Sequence, residues 1–116
     1  MKVTGRIEDG DKIWRNEKGQ IHRKKGPAVE YANGNREWWQ NNKRHRVGDP
    51  AIENVHCGVK LWYQNGELHR LNGPAVEHRD GYREWWIFGK QYSKEEFDKI
   101  TQITIEGKNY ILIPVD

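Results

Sequence analysis

The stretch "IHRKKGPAVEY" at residues 21–31 returns as "LHRLNGPAVEH" at residues 68–78, and "RHRVGDPAIEN" lies between them at residues 44–54. The three copies begin 23 and 24 residues apart. Each copy continues through a turn-like stretch into a pair of aromatic residues or its equivalent. Because the similarity extends beyond the short motif, the pattern predicts a repeated supersecondary unit.

Alignment of the copies places recurring residues in columns. The columns are His22, His45 and His69; Arg23, Arg46 and Arg70; Pro27, Pro50 and Pro74; and Glu30, Glu53 and Glu77. An alanine follows each proline, and eleven residues after that alanine stand Trp39, Trp62 and Trp86. We assign the histidines, prolines, glutamates and tryptophans to the structure of the repeat. Since proline lacks an N–H donor, the prolines are expected at strand starts or in linking turns.

Turn residues divide each repeat into short strands. The dipeptides that tolerate the positive φ of tight turns are Asn33-Gly34, Asn65-Gly66, Asn72-Gly73 and Asp80-Gly81. Between them lie runs rich in β-branched and aromatic residues, such as "AVEY", "VKLWYQ" and "YREWWIF". Each repeat is therefore predicted to form about two short antiparallel strands.

Charge predicts the register of these hairpins. Three-residue loops, "ANG" and "RDG", set Glu30 opposite Arg36 and Glu77 opposite Arg83, and a four-residue loop, "VHCG", sets Glu53 opposite Lys60. A two-residue loop at Asn33-Gly34 would instead oppose glutamate to glutamate, which is unfavourable. We therefore expect the longer loops.

The pattern changes after the last aromatic pair. Ser93 and Glu96 form a capping box before an amphipathic segment, which predicts a short capping helix near residues 93–100. Residues 101–116 are predicted to form a C-terminal β-hairpin around residues 106–109, with Ile103, Ile105, Ile111 and Ile113 supplying aliphatic core. The stretch "KVTGRI" suggests a further edge strand. The expected fold is mostly β: one antiparallel sheet of about three hairpin repeats over residues 13–92, in a single domain of residues 1–116.

Composition is consistent with one small, aromatic-rich domain. Apolar residues make up 34% of the chain and charged residues 32%, a balance that leans toward disorder, but six Trp and five Tyr argue for a packed core. The lone cysteine, Cys57, excludes an intramolecular disulfide, so a reducing cytosol suits the chain. The stretch "MKVTGRIEDGDK" lacks the apolar run typical of a signal peptide, and no stretch approaches the roughly 20 apolar residues of a membrane span. We therefore expect a cytoplasmic protein without membrane contact.

Catalytic and metal chemistry receive little support from the five histidines. His22, His45 and His69 should form a ladder with neighbours roughly 10 Å apart, too far for one metal site. His56 and His78 lie in or beside hairpin turns, and no Asp or Asn is placed to orient the imidazole of His56 in a triad with Cys57. The repeated glutamates have cationic partners. We expect no catalytic residue, no metal, no cofactor and no enzymatic activity.

Binding of another macromolecule is the remaining class of function. The candidate contact surface comprises Arg23, Arg46, Arg70, His56 and His78. Exposed strand edges favour a protein partner, captured by strand addition. One alternative is a nucleic-acid-binding module, since basic residues alternate with aromatic ones and the net charge is +3. The other is a self-assembling structural protein that forms a homo-oligomer through its sheet edges.

The runs "HRKKGPAVEYANGNREWWQNN" and "WYQNGELHRLNGPAVEHRDGYREWWIFGK" resemble the MORN-like repeats of tailed bacteriophages and large DNA viruses. The resemblance covers roughly residues 13–100. It departs at Asp49, which precedes Pro50 where the other copies have glycine, and at Tyr92, which replaces the expected histidine. The resemblance implies a scaffold that contacts other molecules. It leads us to expect a phage-encoded accessory protein that binds and inhibits or redirects a host protein, including an antiviral defence component, in the host cytoplasm.

Overall fold

The computed structural model describes residues 2–101, together with the backbone of residues 103–105 and 108–110. The strands are β1 Thr4–Glu8, β2 Asp11–Arg15, β3 Val29–Glu30, β4 Arg36–Glu37, β5 Trp39–Gln40, β6 Lys43–Arg44, β7 Ile52–Asn54, β8 Val59–Leu61, β9 Tyr63–Gln64, β10 Glu67–Leu68, β11 Val76–Glu77, β12 Arg83–Ile87, β13 Lys90–Tyr92, β14 Ile103–Ile105 and β15 Lys108–Tyr110. The single helix among the described residues, α1, spans Lys94–Thr101.

Nine strands form one antiparallel sheet, in the order β1-β2-β3-β4-β7-β8-β11-β12-β13. Three of its hairpins, β3–β4, β7–β8 and β11–β12, are the predicted repeats, and the hairpin β1–β2 precedes them. The predicted mostly β, antiparallel fold with one short helix is therefore confirmed. The predicted N-terminal strand is β1, at one edge of the sheet. No helix in the described part of the chain is long and apolar enough to cross a membrane.

The charge-based register of the three hairpins is confirmed. Glu30 lies opposite Arg36, Glu53 opposite Lys60, and Glu77 opposite Arg83. The "ANG" loop is closed by an N–H donated from Tyr31 to the carbonyl of Asn35 at 2.9 Å, and Gly34 adopts a φ of 96°. The loop lengths inferred from opposite-charge pairing are those that the backbone adopts.

A second row of short ribbons accompanies the sheet. The ribbons β5–β6 and β9–β10 each follow one of the long hairpins, and the pairing of β12 with β13 has the same place in the last unit. Two-residue turns close them at Asn41-Asn42, Asn65-Gly66 and Phe88-Gly89, all with positive φ. Each complete unit thus has a long hairpin and a short ribbon, one hairpin more than the sequence predicted.

The structure separates the predicted tryptophan column into two. The backbone N–H groups of three equivalent tryptophans donate to alanine carbonyls in the pairs Trp14–Ala28, Trp38–Ala51 and Trp62–Ala75, at 2.7–2.8 Å. Trp39 and Trp86 instead share the position of Tyr63. The backbone carbonyls of these three residues accept the backbone N–H groups of Arg23, Arg70 and Arg46, respectively. The four-residue loop of the middle hairpin adds one residue before Trp62. Counting from the alanine therefore aligned Trp62 with the wrong neighbours.

The sheet core is built from the alanine column. Ala28, Ala51 and Ala75 are completely buried, and Val29 and Val76 beside them are nearly so. Pro27, Pro50 and Pro74 lie just before these alanines and outside every strand. The missing proline donors therefore cost the sheet no ladder hydrogen bond.

A second core lies at the C-terminal end of the sheet. Ile87, Tyr92 and Phe97 form a buried cluster, against which Leu71, Trp85 and Ile100 pack. Helix α1 supplies Phe97 and begins at the predicted capping box: Ser93 Oγ accepts the N–H of Glu96, and Glu96 Oε1 accepts the N–H of Ser93, both at 3.1 Å. The helix therefore covers the end of the repeats.

The predicted C-terminal hairpin is present as the antiparallel pair β14–β15, with Ile105 opposite Lys108. The second strand begins at Lys108, two residues earlier than the aliphatic pattern predicted. Ile111 and Ile113, which were predicted to add core, lie outside the described residues. The prediction that Ile103 and Ile105 contribute to the core stays a prediction.

Candidate functional site

The histidine column connects successive units. The Nδ1 atoms of three imidazoles accept turn N–H groups of the next ribbon in the pairs His22–Asn41 at 3.1 Å, His45–Asn65 at 3.1 Å and His69–Phe88 at 2.9 Å. His22 and His69 are buried. Burial lowers the pKa of both, and the charge of Lys24 lowers that of His22 further. The neutral imidazole is the form that accepts these hydrogen bonds.

The arginine column lies largely inside the repeat. Each guanidinium carbon stands over a tryptophan ring, in the pairs Arg23–Trp14 at 3.8 Å, Arg46–Trp38 at 3.7 Å and Arg70–Trp62 at 3.9 Å from the ring centroid. The same side chains donate to the carbonyls of Pro27, Pro50 and Pro74 at 3.0–3.2 Å. Only about a quarter of each arginine side chain remains exposed. The structure therefore places these predicted contact residues in internal contacts.

The residue before each repeat proline faces the guanidinium of the arginine column. It is glycine in the first and third repeats and aspartate in the middle one. A Cβ at Gly26 or Gly73 would lie 3.0 Å from the guanidinium of Arg23 or Arg70. The middle repeat has Asp49 there, and its carboxylate lies 3.8 Å from Arg46. The departure of Asp49 from the glycine pattern thus replaces close packing with an ion pair.

The glutamate column forms ion pairs within and between repeats. Arg70 and Arg83 approach Glu77 at 3.3 and 3.9 Å, so the predicted cross-strand partner contributes here. Arg36 stands opposite Glu30 on one side and opposite Glu53 of the following repeat on the other, and it binds Glu53 at 2.9 Å. Glu30 is approached by Arg23 at 3.8 Å. These carboxylates stabilise the repeats.

Sequence reasoning missed a clamp that recurs in the first and third hairpins. Glu37 accepts hydrogen bonds from Trp39 Nε1 at 2.8 Å and from Tyr31 Oη at 3.2 Å. Glu84 likewise accepts hydrogen bonds from Trp86 and Tyr82 at 2.8 and 2.5 Å, but Tyr82 lies two residues before its glutamate, whereas Tyr31 lies six residues before Glu37 across the loop. The shared "REWW" of the two hairpins is the signal that could have revealed it.

The other two predicted contact residues lie at the hairpin loops. His56 is exposed, and its Nε2 lies 2.8 Å from the carbonyl oxygen of Asn33. His78 packs edge-to-face against Tyr82, with ring centroids 5.1 Å apart. Cys57 is exposed. Within residues 2–101 and the two described strands beyond, no group of three or more His, Cys, Asp or Glu side chains is arranged to hold a metal ion.

A groove of about 500 Å³ lies beside the first repeat motif. We call it the first-repeat groove; its walls are Val3, Trp14, His22, Arg23, Lys24, Lys25 and Asn41. Trp14 forms an aromatic wall, with Arg23 over its ring and Lys12 Nζ 4.7 Å from the ring centroid. Lys24 and Lys25 are exposed, and neither takes part in an ion pair within the described residues. The groove therefore presents net positive charge.

The charge of this groove is specific to the first repeat. The two residues that follow the column arginine are Lys24-Lys25, Val47-Gly48 and Leu71-Asn72 in the three copies. A related groove beside the third motif, lined by Trp62, His69, Arg70 and Leu71 among others, measures about 270 Å³. Leu71 packs against the C-terminal core, whereas Lys24 and Lys25 extend into solvent. The same framework thus carries a larger and more basic groove at one end.

No protein-family model, no curated protein and no solved structure matches the chain.

Proposed function

We propose that the protein is a non-catalytic binding protein, and that the first-repeat groove receives an acidic surface of a protein partner. The resemblance to MORN-like phage proteins makes that partner a host protein in the host cytoplasm, which is inhibited or redirected when bound. A component of an antiviral defence system fits this role.

One observation carries the proposal: the repeated polar residues are engaged internally, whereas the non-repeated Lys24 and Lys25 are not. The histidines hold turn N–H groups, and the arginines lie over tryptophans. A binding surface therefore has to come from residues that differ between repeats. The first-repeat groove has unpaired cations, which suit carboxylates of a partner.

An acidic protein surface fits the groove better than a nucleic-acid strand. Arg23 and Lys12 stand over the Trp14 ring at 3.8 and 4.7 Å from its centroid. The part of the ring that these cations cover is not open to a stacking base. Carboxylates need only approach the ammonium groups of Lys24 and Lys25.

The test is recovery of the tagged protein from host lysate, with and without nuclease treatment. We expect one stoichiometric protein partner that survives nuclease. The double variant K24E/K25E is expected to lose that partner. The variant K18E/K43E makes the same change of charge at two exposed lysines outside the groove and is expected to retain it.

Three outcomes would contradict the proposal. Recovery of nucleic acid alone, lost after nuclease, would identify the nucleic-acid-binding alternative. Equal loss of partner in both double variants would show a general effect of charge. Full retention in K24E/K25E would exclude the groove as the docking surface.

A further inference from the structure

Strand β1 presents an unpaired backbone edge. It is the terminal strand of the nine-stranded sheet and pairs with β2 along all five of its residues, from Thr4–Arg15 to Glu8–Asp11. Among the described residues, no strand lies on its outer side. At the other end of the sheet, helix α1 packs against β12 and β13. An open edge of this kind is the usual template for pairing with another chain.

The direction of the free hydrogen-bonding groups follows from the turn. Asp9 and Gly10 form a two-residue turn with φ values of 52° and 88°, which makes Glu8 and Asp11 a hydrogen-bonded pair. Hydrogen bonding alternates along an antiparallel pair, so the N–H and C=O groups of Gly5 and Ile7 point away from β2. Trp14, opposite Gly5, accordingly donates its N–H to Ala28 on the far side of β2, at 2.8 Å.

The side chains of this edge fall into two sets. Thr4, Arg6 and Glu8 point to one face of the sheet, as the alternation of side chains along a strand requires. Together with Lys2 and Ile7 they line a depression at this edge. Val3 and Ile7 alternate with them on the opposite face, and Ile7 is 67% exposed. The edge therefore carries a cation, Lys2, at one end and an exposed aliphatic side chain, Ile7, near the other. At that other end lies Glu8, whose carboxylate accepts two hydrogen bonds from Arg15 and remains about 39% exposed.

We infer that two copies of this chain pair antiparallel through β1, with the two-fold axis at Gly5. This register sets Lys2 of each copy opposite Glu8 of the second copy, Thr4 opposite Arg6, and Val3 opposite Ile7. Opposite-charge and aliphatic cross-strand pairs are the favourable ones. Gly5 and Ile7 carry the outward N–H and C=O groups, and Val3 would continue this alternation in an extended strand. The register therefore aligns Val3, Gly5 and Ile7 as hydrogen-bonded pairs.

The neighbouring registers are poorer. An axis at Thr4 sets Lys2 of each copy opposite Arg6 of the second copy, and an axis at Arg6 places the two arginines directly opposite each other; both registers are repulsive. An axis at Ile7 sets Gly5 opposite Asp9, whose φ of 52° belongs to the turn and not to an extended strand. Only the Gly5 register joins the full length of the edge with complementary charges. This inference does not depend on the proposed function.

The experiment is sedimentation velocity of the full chain over a concentration series. We expect a reversible monomer–dimer equilibrium. K2E turns both Lys2–Glu8 pairs repulsive and is expected to weaken dimerisation about tenfold. The exchange K2E/E8K restores opposite charges across the interface and is expected to recover part of the affinity, because E8K also removes the two hydrogen bonds that Arg15 donates to Glu8. K18E, the same change of charge outside the edge, should leave the equilibrium unchanged.

Ile7→Pro tests the backbone pairing directly. Proline removes an outward N–H from each copy while the hydrogen bonds between β1 and β2 remain, so we expect a folded monomer by circular dichroism. A wild-type chain that stays monomeric throughout the series would overturn the inference. So would a dimer that survives Ile7→Pro, or one that K2E and K18E weaken equally.

Discussion

The guanidinium carbon of Arg70 lies 3.9 Å from the centroid of the Trp62 ring, while its Nη1 donates to the carbonyl of Pro74 at 3.0 Å. The same side chain approaches Glu77 at 3.3 Å. One residue therefore links the end of a short ribbon to the next long hairpin. The equivalent contacts of Arg23 and Arg46 make this the recurring joint of the protein.

Arg70→Lys is expected to destabilise the protein by about 1–2 kcal/mol. Lysine keeps the charge but cannot stack a planar guanidinium on Trp62 while donating to Pro74. The free energy of unfolding from urea titration measures the loss. Arg6→Lys makes the same exchange on the exposed face of β1 and should change stability by less than about 0.5 kcal/mol. Equal losses of unfolding free energy in the two variants would show that the contacts of Arg70 with Trp62 and Pro74 add no stability.

His69 is expected to make stability depend on pH. Burial holds its folded pKa below the unfolded value of about 6.5, so the unfolded chain binds more protons in this range. Stability should therefore fall as the pH is lowered through the unfolded pKa. Asn at this position offers Oδ1 in place of Nδ1 and does not titrate in this range.

Urea unfolding of the wild type and His69→Asn between pH 8 and pH 5 tests this expectation. We expect a shallower pH slope in the variant, even though it also loses the ring stacking on Phe88. His22 retains its own contribution in both proteins, since burial lowers its pKa as well. Parallel slopes in the two proteins would rule out His69 as a source of the pH dependence.

Phe97→Ala is expected to cost about 3 kcal/mol or more, because it opens a cavity among Ile87 and Tyr92 beneath helix α1. Thermal unfolding should show a lower midpoint, with loss of helical signal preceding or accompanying the main transition. Lys99→Ala lies on the same helix and is exposed, so it serves as the control. A Phe97→Ala midpoint equal to that of Lys99→Ala would show that the helix does not stabilise the repeats.

Gly58→Ala is expected to destabilise the protein more than Gly10→Ala. Both glycines have positive φ, 66° and 88°, so both substitutions strain the backbone. Only at Gly58 would the new Cβ also meet a neighbour, 2.6 Å from Cβ of Arg79. At Gly10 nothing lies within 4 Å. Chemical denaturation of the two variants compares the costs, and an equal or smaller loss for Gly58→Ala would contradict the packing of this loop on Arg79.

Local pairing rules accounted for the hairpins. The opposite charges of Glu30 and Arg36 predicted the loop length correctly, since a one-residue shift would have opposed like charges. Ser93 and Glu96 predicted the start of helix α1 for a similar reason, because both capping partners lie within one turn. Such contacts join residues that are close in sequence, and their geometry depends little on the remainder of the chain.

The contacts between the short ribbons and the long hairpins could not be predicted from such local pairing rules. The extra residue of the "VHCG" loop hid the equivalence of Trp62 with Trp38, because a count along the chain does not show where a loop absorbs an insertion. The arginines were assigned to the surface for a related reason. Their burial depends on the chain turning back at a ribbon, which sets Arg46 over Trp38. The first-repeat groove likewise requires Val3, Trp14 and Lys25 to meet from separate segments.

The sequence by itself determined the repeat, its period, the hairpin register and the capping helix, because periodic side chains, turn residues and short-range charge pairs act between near neighbours. Only the tertiary structure decided which repeated residues are internal and which surfaces stay open. Whether a guanidinium faces solvent or a tryptophan ring, and whether a lysine borders a groove, depends on how successive units stack. That stacking leaves Lys24, Lys25 and the edge of β1 available at the N-terminal end of the sheet.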